Sequence, residues 1–94
     1  MIKSFRDKEA ERIWRGDVSK RLPRSIQDTA RRKLRMLNNA QSLQDLKVPP
    51  ANRLEALRGD RRGEHSIRIN KQWRVCFRWR DGHAHDVSIA DYHR

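Results

Sequence analysis

Between residues 64 and 80 apolar and polar positions alternate with a period of two. In the first run His65, Ile67 and Ile69 alternate with Glu64, Ser66 and Arg68. In the second, Trp73, Val75, Phe77 and Trp79 alternate with Arg74, Cys76, Arg78 and Arg80. That period, carried by β-branched and aromatic residues, predicts two strands packed on a core through one face. The opposite face, with its recurring arginines, is expected to lie open. Asn70, Lys71 and Gln72 connect the two runs. Asp81-Gly82 is a two-residue hairpin signal, and a last strand over residues 84–90 puts Val87 and Ile89 on the core face.

Before residue 50 the pattern is mainly helical. Residues 2–5 form a short first strand, with Ile2 and Ser4 on one face and Lys3 and Phe5 on the other. Asp7 can cap a helix carrying Ala10, Ile13 and Trp14, which stops at Gly16. After a polar connector over residues 17–22, Pro23 suits the first turn of a second helix. Its stripe of Ile26, Ala30, Leu34 and Leu37 recurs at intervals of four, four and three. Arg24, Arg31, Arg32 and Arg35 fall between these positions and read as a solvated outer face. Residues 40–46 give a further turn or short helix anchored by Leu43 and Leu46, and Pro49-Pro50 break it. Residues 53–58 are extended and lead into a turn at 59–62. The order predicts one α+β domain over residues 1–94. An N-terminal strand and two or three helices pack on one face of an antiparallel sheet of three to five strands.

Charge adds a partner to this picture. Lys and Arg number 23 against 12 acidic residues, a formal net charge of +11. Self-repulsion of that size works against a compact state, so it favours a polyanion: RNA, DNA, a ribosome, an anionic membrane or an acidic protein. Arginine offers a planar fork suited to phosphate. No apolar run approaches the roughly 20 residues of a membrane span. A lone cysteine excludes an internal disulfide and fits a reducing compartment, so a cytoplasmic address is expected.

The candidate chemistry narrows by elimination. His65, His83, His85 and His93 with one cysteine make an unconvincing metal site, and no cofactor is expected. Cys76 has no evident activating base and reads as inert. Arg58, Arg61, Arg62, Arg68, Arg74, Arg78 and Arg80 suit backbone phosphates, and Tyr92 and the tryptophans suit base stacking. Glu55 and His93 suit proton transfer. A ribonuclease without a metal needs a base for the 2′-OH, cations for the phosphorane and an acid for the leaving oxygen. All three residue types are present. Composition does not show that they converge, so on the residues alone plain nucleic-acid binding stands ahead of catalysis.

The stretch RLEALRGDRRGEHSIRINKQWRVCFRW followed by a terminal DYH resembles the HigB toxins, the plasmid maintenance system killer family. These belong to the RelE-like superfamily of toxin–antitoxin systems. The resemblance runs from the opening MIKSF to the end of the chain. It implies a small microbial-RNase-like fold and ribosome-dependent cleavage of mRNA in the A site. It also implies neutralisation by a HigA-type helix-turn-helix antitoxin, with operator DNA bound only through the complex. Carried over, it makes Arg58, Arg68 and Arg74 functional cations and Asp91, Tyr92 and His93 the functional C-terminal triplet. The sequence departs from the pattern at Glu55, where relatives place a histidine. Three readings follow: a ribosome-dependent mRNA interferase, a non-catalytic ribosome- or RNA-binding inhibitor, and a DNA-binding partner acting only in a repressor complex. The last is weakest, since the chain shows no helix-turn-helix pattern.

Overall fold

The structure is a computed structural model that describes residues 1–91; Tyr92, His93 and Arg94 lie outside the described residues. Its elements are α1 (Lys8–Trp14), α2 (Arg24–Asn39), α3 (Leu43–Lys47), β1 (Glu55–Ala56), β2 (His65–Arg68), β3 (Trp73–Arg80) and β4 (His83–Asp91). Short 3-10 turns at Pro50–Asn52 and Gly59–Arg61 join the later elements.

The strands form an antiparallel meander in the order β1-β2-β3-β4. Asn70 shapes the β2–β3 connection, its Oδ1 accepting from the Gln72 and Trp73 amides at 2.8 Å each. At the β3–β4 turn Asp81 and Gly82 have φ of 53° and 78°. Two left-handed residues match the twist of paired strands, which is why Asp-Gly signals this hairpin.

The α2 stripe lies against the sheet. Ile26, Ala30, Leu34 and Leu37 are buried with Ile67, Val75, Phe77, Ala84, Val87 and Ile89 in one core. Trp14, Trp73 and Trp79 pack partly buried at its edges, as their spacing suggests. The outer face of α2 is less solvated than expected at one position. Arg31 donates from Nε to the Ile13 carbonyl at 3.0 Å and from Nη2 to the Asp17 carbonyl at 3.4 Å, bracing the end of α1. The connector before α2 is pinned as well: the Ser19 amide donates to Gln27 Oε1, the Ser19 carbonyl accepts from Gln27 Nε2, and the buried Ser19 hydroxyl donates to Glu9 at 2.6 Å.

The N-terminal segment departs from the alternation predicted for it. It is not a strand of the sheet but makes two parallel bridges to β4, Ile2 with Ala84 and Phe5 with Val87. Ile2 and Phe5 both pack on the core, although strict alternation sets them on opposite faces. The cause lies in β4. Cys76 pairs with Ser88 and Arg78 with His85, so Asp86 and Val87 together oppose Phe77. This β-bulge, with Asp86 at φ 53°, restores Val87 to the face that Ala84 occupies. The segment alongside follows the same shift. Ser4 fills the gap, its Oγ accepting from the Asp86 amide at 2.9 Å.

Candidate nucleic-acid interface

Of the residues singled out by sequence, the sheet face turned away from the helices holds Glu55, Arg68, Arg74, Arg78 and Arg80. Register arranges them in rows across the strands. Glu55, Ser66, Cys76 and Ser88 form one row, and Arg68, Arg74 and Ala90 the next. β1 and β3 are two strands apart, about 9–10 Å, a span two long side chains can bridge. The structure therefore gathers Glu55, Arg68 and Arg74 on one face.

This face is not the open surface that alternation suggests. Ser66 and Cys76 are fully buried, and Arg74 is 8% exposed. The covering comes from the segment between the proline break and β2. The Arg53 carbonyl accepts a hydrogen bond from Arg74 Nη2, and Leu57 is buried. Arg74 Nε donates to Ser66 Oγ at 2.7 Å and Nη2 also reaches the Ser66 carbonyl at 3.3 Å. Its guanidinium is thus a fixed charge, oriented by the protein. Arg68, by contrast, is half-buried at the end of β2 and has no carboxylate partner among the described residues.

Glu64 is the residue that sequence reading undervalued. It is 1% exposed, and its two oxygens meet Arg6 Nη1 and Arg61 Nη1 at 3.3 Å each. A carboxylate so buried is retained only where cations and hydrogen bonds compensate its desolvation. It ties the N-terminal segment and the 59–61 turn to β2, and it engages Arg61, one of the expected RNA-binding arginines. Arg78 is likewise near Asp86, at 3.7 Å. Its Nη1 would lie 2.8 Å from a Cβ added at Gly63, whose φ is +94°. The glycine therefore serves both the turn and the close passage of the guanidinium. Arg58, Arg62 and Arg80 are exposed, with no carboxylate partner among the described residues.

Burial pushes the Cys76 thiol up, with Glu64 adding to the rise, against the opposing pull of Arg61, Arg74 and Arg6. The neutral thiol is a packing residue of this face. Ser88 Oγ beside it in the row is buried without a partner among the described residues. Asp91 ends β4 opposite Trp73, on the parity of the helix side, and accepts from Gln72 Nε2 at 2.9 Å. Alternation thus sets Asp91 across the sheet from Arg74. Tyr92 and His93 lie outside the described residues. Among the described residues no three His, Cys, Asp or Glu side chains are grouped to hold a metal ion, and no helix is long and apolar enough to cross a membrane.

Fold and charge together define a class: a small basic α+β domain, with helices on one sheet face and anchored arginines on the other. A family model described as "RelE-like toxin of type II toxin-antitoxin system HigB" matches residues 3–93, and the chain belongs to that HigB-like toxin family. It is 46% identical over 85 residues to "Toxin HigB-1" of Vibrio cholerae, covering 89% of this chain and 90% of that protein. It is 30% identical over 93 residues to "Endoribonuclease HigB" of Proteus vulgaris, covering 99% and 100%. An uncharacterized protein of Haemophilus influenzae is 32% identical over 86 residues, covering 90% and 85%. The chain is thus a type II toxin-family protein with an endoribonuclease among its relatives.

Proposed function

We propose that this toxin is a metal-independent mRNA endoribonuclease that acts on the ribosome, cutting in the A site by attack of the ribose 2′-OH on its own phosphate. The observation that carries the reading is the gathering of Glu55, Arg68 and Arg74 on one sheet face. The name of the Proteus relative supports it. Arg68, which has no carboxylate partner among the described residues, contacts the scissile phosphate. Arg74, held by Ser66 and the Arg53 carbonyl, supplies a preorganised positive charge where the phosphorane develops. Glu55, on the face of Arg68 and Arg74, takes the 2′-OH proton, His93 protonates the leaving oxygen, and Tyr92 stacks on a nucleotide. The products are a 2′,3′-cyclic phosphate and a 5′-hydroxyl. Arg58, Arg61, Arg62, Arg78 and Arg80 supply contacts to ribosomal and messenger RNA. A HigA-type helix-turn-helix antitoxin neutralises the toxin in the cytoplasm, and operator DNA is met only through that complex.

Mapping mRNA 5′ ends in a translating extract, with and without ribosomes, tests this. New ends within codons should appear only when ribosomes are present. Arrested synthesis with no new ends would sink the nuclease reading. It would leave a second one, a ribosome-binding inhibitor that does not cut. The burial of Arg74 and the carboxylate at Glu55, which sets negative charge near a phosphate, favour that alternative.

A further inference from the structure

A groove of about 480 Å³ runs between α2 and the β2–β3 connection, meeting the rows just described at Arg68. Arg32, Lys33 and Met36 line it from the helix, and Arg68, Ile69 and Asn70 from the sheet. Its size falls within the roughly 300–1,000 Å³ of ligand clefts. Arg32, Lys33 and Arg68 converge on it, and none has a carboxylate partner among the described residues. Nearby arginines are treated differently: Arg12, Arg15 and Arg31 each have an acid one helical turn away.

Lys33 is an anchored cation. Its ammonium donates at 2.6 Å to Oδ1 of Asn52, which is fully buried and donates in turn to the Leu46 carbonyl at 3.0 Å. Burial first, and then the Arg32 charge, pull the Lys33 pKa down. Two neighbouring cations thus share this site, neither with a carboxylate partner among the described residues. Met36 and Ile69 supply apolar lining beside these charges. That pairing fits a nucleotide, whose phosphate meets the cations while its sugar or base covers the apolar surface.

We propose that this groove is a phosphate-binding subsite for a single RNA strand, continuous through Arg68 with the Arg68–Arg74 row. The inference rests on the reading of the chain as an RNA-directed toxin and adds a second point of contact, on the helix side of the sheet. An acidic protein segment is the rival occupant. Arg68 favours RNA, because the same side chain borders both the groove and the row assigned to the scissile phosphate.

Binding of the full-length toxin to a short 2′-O-methylated single-stranded RNA, which lacks the attacking hydroxyl, is measured by fluorescence anisotropy across a salt series. Each phosphate contact on a single strand contributes about 0.7 to the slope of log K against log salt. Arg32→Ala with Lys33→Gln should lower that slope by about 1.4 and weaken low-salt binding several-fold. The glutamine keeps an amide donor for Asn52. Arg24→Ala with Arg35→Ala removes the same charge from exposed positions of α2 outside the groove, and should leave the slope near its wild-type value. Equal effects of the two double variants would overturn the subsite, since they would reflect net charge alone. If the groove pair weakens binding of the antitoxin of the same operon and spares RNA, the subsite falls and the groove is a protein-docking surface. Should wild-type bind no RNA, the subsite falls, while the ribosome-dependent reading is decided separately by the mapping of mRNA 5′ ends. If the double variant does not fold, Arg32→Ala alone decides: its side chain is exposed and bonds Thr29 Oγ1 at 3.1 Å, and an unchanged slope overturns the proposal.

Discussion

Arg74 shows what a single side chain does when its charge is enclosed. Its Nε and Nη2 satisfy Ser66 and the Arg53 carbonyl, so removing it leaves buried acceptors without their donor. Arg74→Ala is expected to cost about 2–4 kcal/mol, read as a fall in the urea midpoint at unchanged m-value. A midpoint within error of wild-type would show that the covering segment does not depend on this arginine. Cys76 gives a second prediction from the same face. Its folded pKa is raised by burial, so the unfolded chain releases its thiol proton at lower pH than the native one. Stability from this group is complete below the unfolded pKa and declines as pH rises through it toward the folded value. Native protein should therefore resist iodoacetamide at neutral pH and react on addition of denaturant, and rapid native alkylation would contradict the burial. The inertness of Cys76 was legible in the sequence, whereas the enclosure of both residues was not. Alternation establishes that Arg74 and Cys76 face away from the helices. It carries no information about whether another segment covers that face, because the cover comes from Arg53 and the turn beyond it through contacts that leave no periodic trace.

Asp7 links elements in the same way that Arg74 links residues. Its Oδ1 caps α1, accepting from the Glu9 amide at 2.7 Å and the Ala10 amide at 3.4 Å. Its Oδ2 accepts from the Ile89 amide of β4 at 3.1 Å, across 82 positions of sequence. Asp7→Ala removes the cap, worth about 0.5–2 kcal/mol, and strands the Ile89 amide as well. The loss should exceed that of an ordinary cap, with hydrogen exchange at Ile89 accelerated more than at Val75. Equal acceleration at both would mean that the variant loosens the sheet generally and not this junction. What the sequence made legible divides along this line. The α2 stripe, the Asp81-Gly82 hairpin and the α1 cap are set by neighbours a few residues apart, and they are found where periodicity and turn chemistry place them. The N-terminal strand is altered because its faces are dictated by the Asp86 bulge at the other end of the chain. The bulge itself is a one-residue offset that a short alternating run cannot reveal. The same limit explains the site. Arg68 and Arg74 are cross-strand neighbours in a short hairpin and could be paired from sequence, whereas the groove joins α2 to that hairpin through contacts no local pattern encodes.

At the scale of the whole molecule, the +11 charge sits on a body with a radius of gyration of 12.0 Å. That radius is close to the Debye length of about 10 Å at 0.1 M salt, so repulsion across the entire domain is open to screening. Six ion pairs among the described residues relieve it locally. The cations with no carboxylate partner among the described residues, Arg32, Lys33, Arg58, Arg62, Arg68 and Arg80 among them, still repel one another in the free toxin. Raising salt should therefore stabilise the fold while weakening its hold on RNA. A gain of about 1 kcal/mol in stability would lift the melting temperature by roughly 4–8 °C for a domain of this size, whereas affinity for RNA should fall steeply along the counterion-release line. Opposite signs from one titration are the test. If the melting temperature stays flat while RNA affinity falls, the folded chain already compensates its charge through pairs such as Arg6 and Arg61 on Glu64, and the excess carries no folding penalty. If both rise or fall together, charge is not what couples the fold to its partner. A stabilisation by salt that a saturating RNA oligonucleotide abolishes would identify the repelling cations with those that meet phosphate, because bound RNA would already have screened them.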